Sequence, residues 1–324
     1  MPNALITGCA GFVGSHLAEY LLANTDWNIY GLMRWSEPLD NLVNIKDEVI
    51  LLEGDLTDSG SLNKVIEQSK PDYIFHLAAQ SYVQASFVYP VKTLQTNVIG
   101  TTNLLEAIKD LAPDAWIHNC SSSEVYGKVD KDYGAIDEDC PFAPASPYSI
   151  SKIAQDMLGR YYYEAYGLKI LTTRMFTHTG PRRGDVFCES TFAKQAAMIE
   201  VGLLEPPIKV GHLDSIRTIA DVRDAVRAYH MLLTVNPIPG EAYNIGGNHT
   251  CKVGDILAEL NKNNYPVESD PARMRPLDAN YQIPDCSKFT GHTGWKPAFS
   301  FEETMKDLLE YWEERVKYSV VIQR

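Results

Sequence analysis

The chain has 324 residues, 45% of them hydrophobic and 22% charged, enough to bury a large core as one domain or two lobes. Its net charge of -13 argues against a broad nucleic-acid surface or an anionic membrane partner, while leaving room for a small anion held by a few local arginines. The six cysteines are scattered without a CxxC or metal-ligand spacing, so reduced thiols and no metal centre are expected.

The N-terminus passes from Met-Pro-Asn directly into a short apolar run, with no basic or apolar leader, and no stretch approaches the ~20 residues of a bilayer span. A cytoplasmic location is expected. Residues 4–7 read as a strand and 14–23 as the helix that follows. Further strands are predicted at 28–33, 49–53, 73–77, 116–120 and 170–174, with helical periodicity at 62–68, 98–109 and 148–166. Such alternation implies right-handed crossovers and a Rossmann-type, doubly wound parallel α/β sheet. After Arg174 the chain changes character. Gly180-Pro-Arg-Arg-Gly184, Pro206-Pro207, Pro237-Ile-Pro-Gly240 and Arg275-Pro276 punctuate what reads as a smaller mixed α/β lobe over the sheet's C-terminal edge. Glu241-Ala-Tyr-Asn-Ile-Gly246 has the character of a strand returning to the main sheet.

Gly8-Cys-Ala-Gly11-Phe-Val-Gly14 follows the first strand and opens the first helix. Glycines there let the backbone turn tightly and approach a pyrophosphate, whose charge meets the helix's free N–H groups. Residues 1–174 are accordingly assigned to an NAD(P)-binding domain, rejoined by about 215–250, and 175–324 mainly to the lobe. At the end of the second strand, where an NAD enzyme usually offers a carboxylate, stand Arg34 and Ser36. A cation and a hydroxyl suit a 2′-phosphate, so NADP is favoured, with NAD as the alternative and Asp40 close behind.

Ser121-Ser-Ser-Glu124 follows a strand, and Tyr148-Ser-Ile-Ser-Lys152 lies on a helix. Positions i and i+4 share a helix face, so Lys152 should stand one turn from Tyr148 and lower its phenol pKa from ~10. Ser122 offers a hydroxyl to the same substrate oxygen. Glu124 reads either as a general acid or base beside the cofactor or as a cap for the following turn. Arg182, Arg183, Lys194, Arg217 and Arg275 are candidates for holding an anion, since a guanidinium can bond two phosphate oxygens at once. His178 reads as a cofactor-site wall or as core, and Tyr161-Tyr-Tyr163 as core or subunit interface.

Together these segments resemble the extended short-chain dehydrogenase/reductase family over nearly the whole chain. Within it, Gly54-Asp-Leu-Thr-Asp58, Leu77-Ala-Ala-Gln-Ser81, Ala85-Ser-Phe87, Pro181-Arg-Arg-Gly-Asp185 and Val210-Gly-His-Leu-Asp-Ser-Ile-Arg217 look like GDP-mannose 4,6-dehydratases. The resemblance implies that Phe12 and Val13 join the glycines at the cofactor, that Asp55 and Leu56 flank adenine, and that Leu77, Ala78, Ala79, Gln80 and Ser81 follow its ribose and diphosphate, with Lys92 nearby. It places Lys152, His178 and Arg183 at the nicotinamide end and Ser122, Glu124, Tyr148 and Lys152 in the catalytic positions. Ser81, Ser122, Ser123, Glu124, Thr177, Lys194, Arg217 and Arg275 fall to the GDP-hexose substrate.

Two features depart from the dehydratases: Phe176-Thr177-His178 replaces Phe-Asn-His, and an arginine-rich loop that serves cofactor binding and tetramer packing is reduced to Arg34-Trp35-Ser36. Asp221-Val-Arg-Asp-Ala-Val-Arg227, Arg275-Pro-Leu-Asp278 and Gly294-Trp-Lys-Pro297 also look like the reductases of the 4-keto product. The expected activity is thus a GDP-sugar 4,6-dehydratase. An NADPH-dependent 4-keto reductase, an epimerase and a non-catalytic dinucleotide-binding protein are the alternatives. The resemblance also implies a homodimer through the helices at 98–109 and 148–166, with pairing into tetramers left open.

Overall fold

Strand β1 (Asn3–Thr7) is buried on both faces, as an unbroken apolar run inside a parallel sheet must be. The computed structural model describes residues 1–322, with side chains through 318. From β1 the chain continues through α1 (Phe12–Asn24), β2 (Asn28–Met33), β3 (Ile50–Glu53), α2 (Ser59–Ser69) and β4 (Tyr73–His76). Next come α3 (Val83–Val88), α4 (Pro90–Leu94), a π-turn at Gln95–Ile99, α5 (Gly100–Leu111), β5 (Trp116–Cys120), α6 (Pro147–Tyr166) and β6 (Lys169–Met175). The second half holds β7 (His178–Thr179), α7 (Cys188–Glu200), β8 (Ile208–Val210), β9 (Ile216–Asp221), α8 (Val222–Thr234) and β10 (Ala242–Ile245). It ends with β11 (His249–Lys252), α9 (Val253–Leu260), β12 (Val267–Ser269), β13 (Tyr281–Gln282), α10 (Ser287–Thr293) and α11 (Phe301–Ile322).

Seven strands form one sheet in the order β10-β6-β5-β4-β1-β2-β3, and every neighbouring pair is parallel. The fold class is thus the doubly wound one expected from the strand–helix alternation. The helix predicted at 98–109 begins sooner than its periodicity suggests, because the π-turn joins α4 to α5 without a break. On one face α1 and α8 bury Leu17, Leu21, Val226 and Tyr229, and on the other α2, α5 and α6 bury Leu62, Ile66, Leu104, Ile108 and Tyr162. Order reverses around β1, whose neighbours are β2 and β4, so the crevice outside their carboxyl ends is the place where such sheets bind ligands.

In the smaller lobe β9 lies between antiparallel β11 and parallel β13, and β8 pairs with β12. Helices α7, α9 and α11 pack a separate core around Phe192, Ile256, Leu308 and Trp312. Fully buried Asp224 on α8 fastens the two regions. Its carboxylate accepts from the backbone N–H groups of Ala298 and Phe299 at 2.9 and 3.0 Å and from Arg227 at 2.7 Å. Charge-assisted bonds of this kind are the stronger class of hydrogen bond. No helix among the described residues is long and apolar enough to cross a membrane.

Three histidines are enclosed in this frame. The Thr7 hydroxyl meets His76 Nδ1 at 2.9 Å, Thr101 meets His76 Nε2 at 2.8 Å, and Thr173 meets His118 at 2.8 Å. Burial, then neighbouring positive charge on Lys152, pushes His76 down to about 3. His118 is likewise lowered to about 3 by burial, then by His76 and Lys152; His16 falls to about 4 through burial and Arg182. All three are neutral in the folded chain but take up a proton near pH 6.5 when unfolded. The unfolded state therefore binds more protons below that pH, and stability is lost as pH falls from 6.5 toward the folded values. We expect urea stability to be level from pH 8 to 7 and to drop below pH 6 by up to roughly 1.4 kcal/mol per histidine per pH unit. A profile that stays flat down to pH 5 would disprove this account.

Candidate functional site

Along the carboxyl ends of β1, β2, β4, β5 and β6 runs a cleft of about 1010 Å³, roofed by the smaller lobe. Its floor is the glycine loop. Gly8 has φ +71°, and a Cβ there would touch the Ala78 backbone at 3.0 Å; at Gly14 it would lie 2.2 Å from the Gly8 carbonyl. Helix α1 starts from Gly11 with no capping side chain and no acid in its first turn, so its N–H groups face the cleft uncompensated. Seven buried side-chain polar atoms lack a hydrogen-bond partner among the described residues, and five belong to cleft residues: Gln80 Oε1, His178 Nε2, Gln282 Nε2 and the ion-paired Arg183 Nε and Glu189 Oε1. Native proteins leave few such atoms unsatisfied, and their concentration here marks a polar ligand's site. A backbone cradle that admits no side chain, an uncapped helix start and these free polar atoms fit a dinucleotide with a second polar ligand beside it.

The central cluster comes from β5 and α6. Ser122 caps the short turn after β5, its hydroxyl accepting the Glu124 N–H at 3.2 Å. Capping is thus done by the serine, and the Glu124 carboxylate is left to face Arg275 at 3.7 Å across the cleft. On α6, Ser146 caps the first turn and Pro147 occupies it, which holds Tyr148 rigidly at the cleft wall. Lys152 Nζ donates to the Cys120 carbonyl and to Gln155 Oε1, both at 2.8 Å, and lies 5.9 Å from the Tyr148 ring centre. The expectation that Lys152 lowers the Tyr148 phenol is corrected here. Burial raises that phenol well above 10, and the ammonium, itself pushed down by burial, is directed to other acceptors; the counteracting groups are Ser122 and, less strongly, Arg183.

At the β6 end, His178 stacks on Phe12 with ring centres 5.9 Å apart. Burial and the Arg183 charge bring it down to about 4, so it stands as a neutral ring. The Arg183 guanidinium lies 3.5 Å from the Phe187 ring centre and 3.9 Å from Glu189. Arg182, by contrast, turns away to Ser15 and Glu19 and fastens the loop to α1. On the lobe side Arg217 and Arg275 converge on one carboxylate, Asp278, at 3.5 and 3.0 Å.

The cleft brings together Gly8, Gly11, Phe12, Val13, Gly14, Arg34, Asp55, Leu56, the run from Leu77 to Ser81, Lys92, Ser122, Ser123, Glu124, Tyr148, Lys152, Thr177, His178, Arg183, Arg217 and Arg275. Ser36 and Lys194 lie outside its lining. Ser36 occupies the outer corner of a turn at φ +56°, and Lys194 is engaged by Asp185 at 2.6 Å. Sequence reasoning missed Glu37, Glu189, Asp278 and Gln282, all of which line the cleft. Glu37 and Asp278 each follow a singled-out arginine by three residues, a spacing that could have shown them. Gln282 accepts from Ser123 at 3.3 Å across 159 residues, a contact only the fold creates.

Residues 5–308 match the family model described as GDP-mannose 4,6 dehydratase. The GDP-6-deoxy-D-mannose reductase of Pseudomonas aeruginosa is 33% identical over 316 aligned positions, covering 96% of this chain and 97% of that protein. The GDP-mannose 4,6-dehydratase of Vibrio cholerae is 30% identical over 353 positions, covering 95% and 92%. Among solved structures, RMD from Pseudomonas aeruginosa complexed with NADPH superimposes with a TM-score of 0.83 at 30% identity, over 97% of this chain and 99% of that one.

Helix α6 is set by a buried ion pair: Arg174 on β6 bonds Asp156 through Nε at 2.9 Å and Nη2 at 3.1 Å. Asp156→Asn leaves the guanidinium buried without a counter-charge, and we expect a loss of roughly 3–5 kcal/mol in urea unfolding. Removing the exposed Arg160–Glu164 pair one turn away should change stability by less than about 1 kcal/mol. Equal effects would show that the buried pair does not organise the helix.

Proposed function

The chain belongs to the GDP-mannose 4,6 dehydratase family, and from that premise we propose that it is an NAD(P)-dependent GDP-sugar 4,6-dehydratase. GDP-mannose or a close relative is the substrate. The observation that carries this reading is the Glu124 carboxylate: freed from capping by Ser122, it stands in the cleft on the same wall as Tyr148. A 4-keto reduction uses a proton donor at C4, and elimination across C5 and C6 needs a base at C5 as well, the role Glu124 fills in this reading. Reductases with the same motifs can carry a glutamate after the serines too, so the assay below makes the separation.

A nicotinamide dinucleotide, when bound, supplies the hydride acceptor and donor. Gly8, Gly11, Gly14 and the start of α1 would hold its diphosphate, and His178 and Arg183 its nicotinamide end. The NADPH bound by the solved relative supports NADP, with NAD as the alternative. Within this chain, Tyr148 and Ser122 bracket the C4 oxygen, and the phenol oxygen exchanges the C4 hydroxyl proton. Because burial raises Tyr148, proton removal depends on the short-range help of Ser122 and, less strongly, on the Arg183 charge. Glu124 takes the C5 proton once C4 is a ketone and, protonated by that step, gives the proton to the departing C6 hydroxyl, which leaves as water. Arg217 and Arg275 exchange Asp278 for the substrate diphosphate. Holding C4, C5 and C6 still against these groups lowers the barrier by supplying their orientation in advance.

A second reading, the NADPH-dependent reductase of a 4-keto-6-deoxy sugar, has its own support. Nearly the same share of this chain aligns with the reductase over 316 positions but with the dehydratase over 353, so the dehydratase match carries many more gaps. A phenol held protonated is also a ready donor to a ketone. Incubation of the purified chain with GDP-mannose and no added cofactor decides between them. Loss of one water, read by mass spectrometry, is expected. No product from any GDP-hexose, with NADPH oxidation on the 4-keto sugar, would install the reductase instead. Glu124→Gln should keep dinucleotide binding and lose elimination by at least ~100-fold, the scale of a general acid–base contribution.

We further propose a homodimer through α4, the π-turn, α5 and α6, whose outer faces expose Val91, Ile99, Leu111, Ile150, Met157 and Tyr161. Monomeric soluble chains rarely leave so much apolar surface together. Light scattering should give twice the chain mass for the native protein and the chain mass for Ile150→Asp. A native monomer would defeat the proposal.

A further inference from the structure

The cleft wall beyond β2 holds a charge pair that the motif alone does not reveal. Residues 34–37 form a tight turn, with Glu37 N–H donating to the Arg34 carbonyl at 3.1 Å and Ser36 at φ +56°. The turn folds the Glu37 side chain back onto the residue that begins it. Its Oε2 accepts the Arg34 backbone N–H at 3.1 Å, and its Oε1 lies 3.4 Å from Arg34 Nη2. Glu37 is the better enclosed of the two, its side chain 18% exposed against 66% for Arg34.

Two neighbouring groups register which way these charges face. Cys9, in the glycine loop, is pushed up to about 12 chiefly by burial and then by the charge of Glu37. Asp55, after β3, is held below its ordinary value by hydrogen bonds from Thr57 and then by Lys92 and Arg34. Glu37 thus lies near the glycine loop as well as on Arg34, and Arg34 lies near Asp55. Two cations and two carboxylates balance in one corner of the cleft, at the ends of β2 and β3 where a dinucleotide's adenosine ribose belongs.

We propose that Glu37 sets the choice between the two dinucleotides: its carboxylate accepts a 2′-hydroxyl and, by occupying Arg34, opposes a 2′-phosphate. A phosphate at this corner has to displace Glu37 from the guanidinium and then remain beside the displaced negative charge. A ribose diol needs neither change, because a carboxylate is the ordinary partner of those hydroxyls. Glu37 therefore does the work that a carboxylate at the strand end does elsewhere, delivered from three residues later by the turn. Arg34 keeps phosphate binding available, and the protein accepts both cofactors with a ratio that Glu37 controls.

The inference rests on the dinucleotide reading above, and the two fail differently. Dissociation constants for NADPH and NADH are measured on the full chain by energy transfer from tryptophan to the reduced nicotinamide. Glu37→Gln, which keeps an acceptor for the Arg34 N–H, should tighten NADPH on the order of tenfold and leave NADH unchanged or weaker, since like-charge repulsion is removed. Glu37→Ala should shift the NADPH-to-NADH ratio the same way, and Arg34→Gln should shift it in the opposite direction. If both Glu37 variants bind the two cofactors with a ratio within about twofold of the native chain, Glu37 does not discriminate and the proposal is wrong. If the native chain binds neither dinucleotide, the cofactor reading itself has failed.

Discussion

The Arg174–Asp156 ion pair is the constraint on which the site depends. It lies almost wholly out of solvent between β6 and α6, and its guanidinium also donates to the Tyr126 hydroxyl at 3.1 Å and the Glu138 carbonyl at 2.8 Å. Tyr126 passes its proton donor on to Asn244 of β10 at 2.7 Å, and Asn244 N–H returns to the Glu138 carboxylate at 2.7 Å. One enclosed charge thus ties together two strands, the helix that carries Tyr148 and Lys152, and the segment that follows Glu124. Enclosed ion pairs contribute little net stability against apolar packing, but they tolerate few alternative geometries. Here the pair links the helix that bears the phenol, through Tyr126 and Glu138, to the segment that follows Glu124.

Around that frame, polarity is distributed by function. In the sheet, the histidines bond threonines and remain neutral, His76 through both ring nitrogens and His118 through one. In the cleft, charges are paired provisionally: Arg34 with Glu37, Arg217 and Arg275 with Asp278, Arg275 with Glu124. Each of these arginines already has a carboxylate partner, which an arriving anion has to displace. An acidic chain can therefore bind an anion by exchanging internal partners, with no basic surface to collect other polyanions.

Much of this was legible in the residues. Strand–helix alternation and the glycines after β1 specify the parallel sheet, because apolar runs without alternation have only that home. The Ser-Ser-Ser-Glu run and the Tyr-x-x-x-Lys spacing select the wall residues, since strand ends and helix faces are readable from period alone. What was not legible depends on contacts between distant segments. The direction of the Tyr148 shift is decided by burial, which sequence does not display; Lys152 stands where its spacing puts it but spends its hydrogen bonds on Cys120 and Gln155. Lys194 carries the right charge on α7 and is claimed locally by Asp185. The π-turn at 95–99 leaves no mark in the periodicity. It nevertheless directs Asn97 inward, where it bonds the Gln80 backbone through both its oxygen and its nitrogen, at 2.8 and 3.0 Å.

The uncapped start of α1 has a consequence for the life of the protein as well as for its chemistry. Helices α2, α6 and α8 have an aspartate or serine bonding their first turn, whereas α1 leaves that bonding to an anion in the cleft. Part of the folding free energy is thereby deposited with a diffusible molecule, and a ligand at one hundred times its dissociation constant contributes about 2.7 kcal/mol. The population of intact protein then follows the supply of its dinucleotide. Without its dinucleotide the same chain lacks that contribution and visits its unfolded state correspondingly more often.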